Sequence, residues 1–243
     1  MQRVYHIRSG RDRRPDIRVR VQGVERSMKV LPIPTEEARP WILKRHYAHR
    51  MPCISYAFGL FGQECVGVVS FGVPATPHLC RGICGPDFAS MVLELNRLCI
   101  AGGIENAGSI LVSGALRMIP HPAIIVSYAD TAWGHIGYVY QATNWIYTGM
   151  TDAGRKTPRS DRIVTEGRHG RHEARIDGGD KVDTSVGKLV YRKPKHRYVY
   201  LLGTKYQRRE MRAALRYPVL SYPKGETKRH EADAEIQIQR TMF

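Results

Sequence analysis

The chain has 243 residues, enough for one large domain or two small ones, and its 42% hydrophobic and 25% charged content is a globular mixture that excludes wholesale disorder. Its 38 Lys and Arg against 22 Asp and Glu leave a net charge of +16, a surface suited to a polyanion, with nucleic acid the first candidate. No apolar run approaches the roughly 18 residues that span a bilayer, the arginine-rich start lacks an apolar signal region, and five unevenly spaced cysteines read as reduced thiols in a cytoplasmic protein.

The charge is segregated. Residues 1–30 hold nine Lys/Arg and three Asp/Glu, residues 151–243 hold 22 and 12, and the stretch between them is neutral. A neutral folded centre with two basic ends is the arrangement this predicts. Along the chain, Met28 to Ile33 reads as a strand ending at a proline. Thr35 opens a helical stretch to about His46; with Pro40 in its first turn, regular helix is expected only from about Ala38. Ile54 to Phe61 and Cys65 to Phe71 form a hairpin pattern around Gly62-Gln63-Glu64. Val73 to Ser90 is rich in Pro and Gly and reads as an irregular excursion.

A strand follows over Met91 to Ile100, then a helix from Ser109 to Met118. Ala123 to Tyr128 reads as a buried strand, Thr131 to Tyr138 as a short helix and Trp145 to Thr148 as a strand. Residues 150–190 lose apolar periodicity and read as a long basic loop. His196 to Leu202 reads as a strand, Thr204 to Arg216 as a helix and the last 20 residues as a polar tail. The order predicts a mixed α/β fold with helices on a central sheet.

Several positions carry candidate chemistry, each with a plainer alternative. Asp130 ends a buried strand, where α/β proteins place their sites, or it only caps the next helix. Tyr138 and Tyr140 are neutral donors able to serve as a general acid, or packing residues. His46 and Tyr47 lie in a basic helix end that suits the macrodipole, or they deliver a base or metal ligand. Asn106, Gly108 and Ser109 open a helix whose N–H groups can face an anion, with Arg97 nearby, or they only cap it. Cys80 and Cys84 have poor zinc spacing and no second pair. Lys205, Arg208, Arg209, Arg212 and Arg216 fall on one helical face, a stripe suited to phosphates or an ordinary solvated surface.

Taken together, Arg45-His46-Tyr47, Glu94-Leu95-Asn96-Arg97-Leu98, Asn106 to Ser109, Ser127 to Asp130, Gly134 to Trp145 and Lys195 to Tyr200 resemble the Mom proteins of Mu-like bacteriophages over roughly residues 28–225. The resemblance implies a fold similar to the GNAT acyltransferases: a central mixed sheet flanked by helices, as a domain over 28–224 with the basic loop 150–190 inside it. A basic segment 1–27 and a polar tail 225–243 flank it.

It also implies conversion of adenine to its N6-carbamoylmethyl form in phage DNA, in the host cytoplasm, as protection from restriction. The substrate would be double-stranded DNA with the adenine flipped out, and no membrane is involved. His46, Tyr47, Asp130 and Tyr140 would carry the chemistry; His46, Asp130 and Tyr140 are also the metal candidates, with iron as one possibility. Arg97, Asn106, Gly108 and Ser109 would hold the donor. Ala101 to Ser109 does not match the usual GNAT pyrophosphate signature, so acetyl-CoA and another small donor both stay open. The other classes are an ordinary GNAT acetyltransferase and a non-catalytic DNA-binding protein.

Overall fold

Alternating apolar positions along successive strands build the sheet first. The computed structural model describes residues 17–21, 24–102, 104–152, 160–163, 188–191 and 193–225. In chain order the elements are β1 (Ile17–Val21), β2 (Val24–Pro32), α1 (Thr35–Pro40), β3 (Tyr56–Phe61), β4 (Cys65–Gly72), α2 (Pro77–Cys84), β5 (Val92–Ile100) and α3 (Ala107–Leu116). They continue with β6 (Ala123–Asp130), α4 (Tyr138–Ala142), β7 (Ile146–Met150), β8 (Ser160–Ile163), β9 (Lys188–Tyr191), β10 (Lys195–Leu202) and α5 (Lys205–Ala213).

Eight strands form one sheet in the order β1-β2-β3-β4-β5-β6-β10-β7, and β8 and β9 pair separately. Every neighbour in the large sheet is antiparallel except β5 and β6. Each face carries its own core. Leu111, Val112 and Ala115 of α3 pack with Phe58, Phe71, Ile125 and Tyr198 on one side. On the other, Ile83 of α2 and Met211 of α5 pack with Ile124, Val126 and Val199. A mixed α/β sheet covered by helices on both faces therefore agrees with the sequence-based expectation.

The departures have local causes. The stretch Val73–Ser90 is not irregular: α2 and a 3-10 turn, Pro86–Met91, occupy it. Pro77 sits at the first helical position, where its missing N–H costs nothing, and Cys80, Ile83 and Cys84 bury one side. Helix α1 begins at Thr35, earlier than expected, and places Pro40 at its end. The ladder there widens into a π turn, Trp41–Arg45, closed by the His46 N–H donating to the Trp41 carbonyl at 3.2 Å. The helix expected over Thr131–Tyr138 is a 3-10 turn, Thr131–Trp133, followed by α4.

Gly137 links them at φ 83°, where a Cβ would collide with the Tyr198 ring. Helix α5 stops at Ala213, short of Arg216. Strands β8 and β9 lie within the segment read as a loop, and β1 lies within the segment 1–27. The rest of the 150–190 loop beyond residue 152 and the tail from 226 lie outside the described residues. All five cysteines are free thiols, with Cys80, Cys84 and Cys99 buried. No helix among the described residues is long and apolar enough to cross a membrane.

Candidate functional site

The parallel strand pair of the large sheet parts along its length. β5 and β6 share rungs only at Val92–Ile124, Leu93–Ile125 and Glu94–Val126. Past Glu94, β5 stays with β4 and β6 stays with β10, so the two strands part over Leu95–Ile100 and Ser127–Asp130. At the parting point the Ser127 hydroxyl donates to the Leu95 carbonyl at 2.8 Å. The parting therefore lies at the C-terminal ends of parallel strands, the usual position of an α/β site.

Asp130 ends β6 and is 8% exposed. Its Oδ1 accepts from the Ala132 N–H at 3.0 Å, so it caps the following turn. Its Oδ2 also lies 2.6 Å from Nζ of Lys195, its partner across the β6–β10 ladder. Capping and charge placement thus coexist in this residue. His46 is buried directly after the π turn, and its Nδ1 accepts from the Ala48 N–H at 3.0 Å. That bond puts the neutral ring's proton on Nε2, which makes this nitrogen a donor.

Tyr47 stacks on His46 with ring centres 4.2 Å apart, and meets Trp133 at 5.1 Å and His135 edge-on at 5.7 Å. Burial raises the Tyr47 hydroxyl well above its ordinary pKa; Asp130 and Tyr140 add to the rise and Arg97 opposes it. The hydroxyl therefore sits within the field of all three. Tyr140 is buried in α4; with the Ser127 proton on the Leu95 carbonyl, its hydroxyl donates to the Ser127 oxygen at 2.8 Å, and it is pushed up to about 12, mainly by burial. The structure thus brings His46, Tyr47, Asp130 and Tyr140 together with Arg97. Tyr138, the other tyrosine considered, is 62% exposed.

Arg97 has a mainly local occupation. Its Nε and Nη2 donate to the Arg50 carbonyl at 3.2 and 3.0 Å, and its Nη1 to the Asn96 carbonyl at 2.5 Å. These bonds pin the loop that follows His46 and Tyr47 to β5. Removing the guanidinium strands part-buried carbonyls, at a cost of about 1–3 kcal/mol. Arg97→Ala should therefore lower the melting temperature by roughly 2–12 °C in thermal denaturation. Arg97→Lys, with a single ammonium, should recover only part of the loss.

The other donor-pocket residues stand at the start of α3. Gly108 begins α3, and a Cβ there would come within 3.0 Å of Val139, so its small size serves the α3–α4 contact. The Ser109 hydroxyl donates to the Asn106 carbonyl at 2.9 Å, and Asn106 is exposed at φ 56°. Ser109 also lines a groove of about 590 Å³ with Ser113, Arg117, His121, Asn144 and Tyr200. His46, Tyr47, Asp130 and Tyr140 do not line that groove. Among the described residues no three His, Cys, Asp or Glu side chains converge to hold a metal ion.

Some site residues were not singled out from sequence as chemistry. Glu94 is the last rung of the parallel pair, and burial raises its carboxyl above the usual range against the pull of Arg97, Lys195 and Arg50. A lone acid inside its strand was its signal, as Ser127 was a lone serine inside another. Lys195, Trp133 and His135 join through tertiary packing alone. On α5, Lys205, Arg208, Arg209 and Arg212 are exposed, with Met211 buried beneath. A capping box of Thr204 and Gln207 starts that helix. Arg216 does not continue the helical stripe: it lies past the helix end, with its guanidinium against Gly85.

These features define a mixed α/β protein with a cluster of polar and aromatic side chains where its parallel strand pair parts, and a cationic helix. Comparison with known sequences narrows this further: the profile of the Mom protein family matches residues 27–224, and the chain belongs to that family. Over 123 residues it is 32% identical to the methylcarbamoylase Mom of Escherichia phage Mu. That alignment covers 48% of this chain and 51% of the Mu protein, so the chain spans about half the length of the curated relative it matches. A solved structure titled as a candidate acetyltransferase from Acinetobacter baylyi ADP1 superposes with a TM-score of 0.40 and 11% identity. It covers 74% of this chain and 94% of its own.

Proposed function

We propose that the chain is a DNA-modifying transferase that places a carbamoylmethyl group on N6 of adenine in duplex DNA, acting on phage DNA in the host cytoplasm. The observation that carries the reading is the convergence of His46, Tyr47, Asp130 and Tyr140 at the parting of β5 and β6, in a Mom-family chain of net charge +16. We read residues 28–224 as one GNAT-like unit with a basic insertion at 150–190 and flanking segments at 1–27 and 225–243. The parted parallel strands and the helices on both sheet faces support that reading.

The chemistry follows from the substrate. N6 pairs inside the helix, so the base must leave the stack to react. Its lone pair is delocalised into the ring, so attack on carbon requires removal of a proton as the new bond forms. One N6–H bond breaks, an N6–CH2 bond forms, and the bond from that carbon to the donor's leaving group breaks with its electron pair. Asp130 is the proton acceptor: each of its oxygens keeps a lone pair beyond its present bond. His46 Nε2 and the protonated Tyr47 hydroxyl are donors that hold and orient the polar groups of base and donor, and the Tyr140 oxygen, whose own proton is directed to Ser127, accepts from them.

Arg97 keeps the His46–Arg50 loop in place, and α3 with Asn106, Gly108 and Ser109 is the proposed seat of a small donor whose CH2 carbon carries the leaving group; acetyl-CoA, whose methyl carries none, would give only the N6-acetyl product. The exposed cations of α5 supply the phosphate contacts. Plasmid DNA from cells expressing the chain should resist endonucleases whose sites contain adenine, whereas DNA from cells expressing Tyr140→Phe should be cut. Equal cutting of both, with both proteins folded, would remove the protective role.

A further inference from the structure

We infer that Trp133 and His135 form, with Tyr47, the stacking platform that receives the extruded purine; the inference rests on the DNA-modifying reading above. Three observations carry it. First, both residues come from the tight turn that Asp130 itself organises. Asp130 Oδ1 accepts from Ala132 N–H, its carbonyl accepts from His135 N–H at 3.2 Å, and Thr131's carbonyl accepts from Gly134 N–H at 3.1 Å with Gly134 at φ 69°. The platform and the proposed proton acceptor are thus one rigid unit.

Second, the rings converge on Tyr47 from two directions, Trp133 tilted by 39° and His135 edge-on at 68°. Third, Trp133, His135 and Tyr47 are each half-buried, whereas Trp145, the tryptophan of the core, is 1% exposed. Aromatic surface left open beside a reacting carboxylate suits a flat π-system. A base lifted out of a duplex needs such surface to replace the stacking it has lost. The purine ring supplies the π-face, and the nearby Asp130 meets its exocyclic amine. Trp133 and His135 are therefore positioning residues, and their role does not include proton transfer.

The test has two readouts. Duplex DNA carrying 8-azidoadenine, irradiated on the full-length protein, should form adducts on Trp133 or His135; adducts confined to other segments, or none, would overturn the inference. In steady-state kinetics Trp133→Ala should lower kcat/KM by about ten- to a hundredfold, the worth of one stacked base. Trp133→Phe should stay within about threefold of wild type, and the affinity of both for duplex DNA without adenine should be unchanged. Should Trp133→Ala fail to fold, His135→Ala and the adduct map carry the decision. A wild-type kcat/KM in folded Trp133→Ala would also overturn the inference. If the wild-type protein modifies no DNA yet the adducts fall on this turn, the reaction assignment fails while the base platform stands.

Discussion

Asp130→Asn should reduce adenine modification by at least about a hundredfold while leaving the fold nearly intact. Asparagine keeps a carbonyl oxygen where Oδ1 accepts from the Ala132 N–H, so the cap survives. The carboxylate facing Lys195 is lost, and with it the proposed proton acceptor; a positioned general base is typically worth about 10² to 10⁴ in rate. Lys195 is 41% exposed, so the ion pair itself contributes little to stability. Asp130→Ala should lose the same activity and in addition about 1 kcal/mol of stability, the value of a cap. Nucleoside analysis of DNA from cells expressing each variant reads the activity, and chemical denaturation reads the stability. If Asp130 acts only as a cap, Asp130→Asn stays active.

The second large effect concerns salt. Arg208 and Arg212 are exposed one turn apart on α5, away from the buried Met211. If both meet phosphates, each releases about one condensed counterion on binding. The double variant Arg208→Ala/Arg212→Ala should weaken binding to all DNA sequences by a similar factor. It should also flatten the slope of log affinity against log salt by about two units. Helix α5 should persist, because its capping box and its buried Met211 are untouched. Fluorescence anisotropy across a salt series reads the slope. An unchanged slope in the folded double variant would mark the stripe as an ordinary solvated face and move the phosphate contacts elsewhere.

The strands were legible because each carries either alternation or an uninterrupted apolar run: β6 buries all but one of its eight residues, and its sequence reads Ala-Ile-Ile-Val-Ser-Tyr-Ala-Asp. Helix α2 was missed because proline and glycine were read as breakers, although Pro77 is a helix starter and Gly82 faces the Tyr217 hydroxyl. Arg216 was read onto α5 because periodicity alone cannot show where a helix ends. The cluster was legible in outline because His46, Tyr47 and Asp130 each stand at the end of an element. Its wiring was not.

Two facts of register decide that wiring. The parallel ladder stops at Glu94–Val126, and Lys195 falls opposite Asp130. Both depend on strands far apart in sequence. The same holds for Arg97, whose bonds to the Arg50 carbonyl span 47 positions.

The central claim is the chemical change at adenine, and nucleoside mass spectrometry tests it most directly. DNA from cells expressing the chain, digested to nucleosides, should contain a deoxyadenosine heavier by one carbamoylmethyl group, with fragmentation placing that group on the base at N6. Cells expressing His46→Ala, Asp130→Asn or Tyr140→Phe should yield unmodified deoxyadenosine. An N6-acetyl product from the wild-type chain would assign ordinary acyl transfer instead, and unmodified nucleosides in the presence of folded protein would contradict the account.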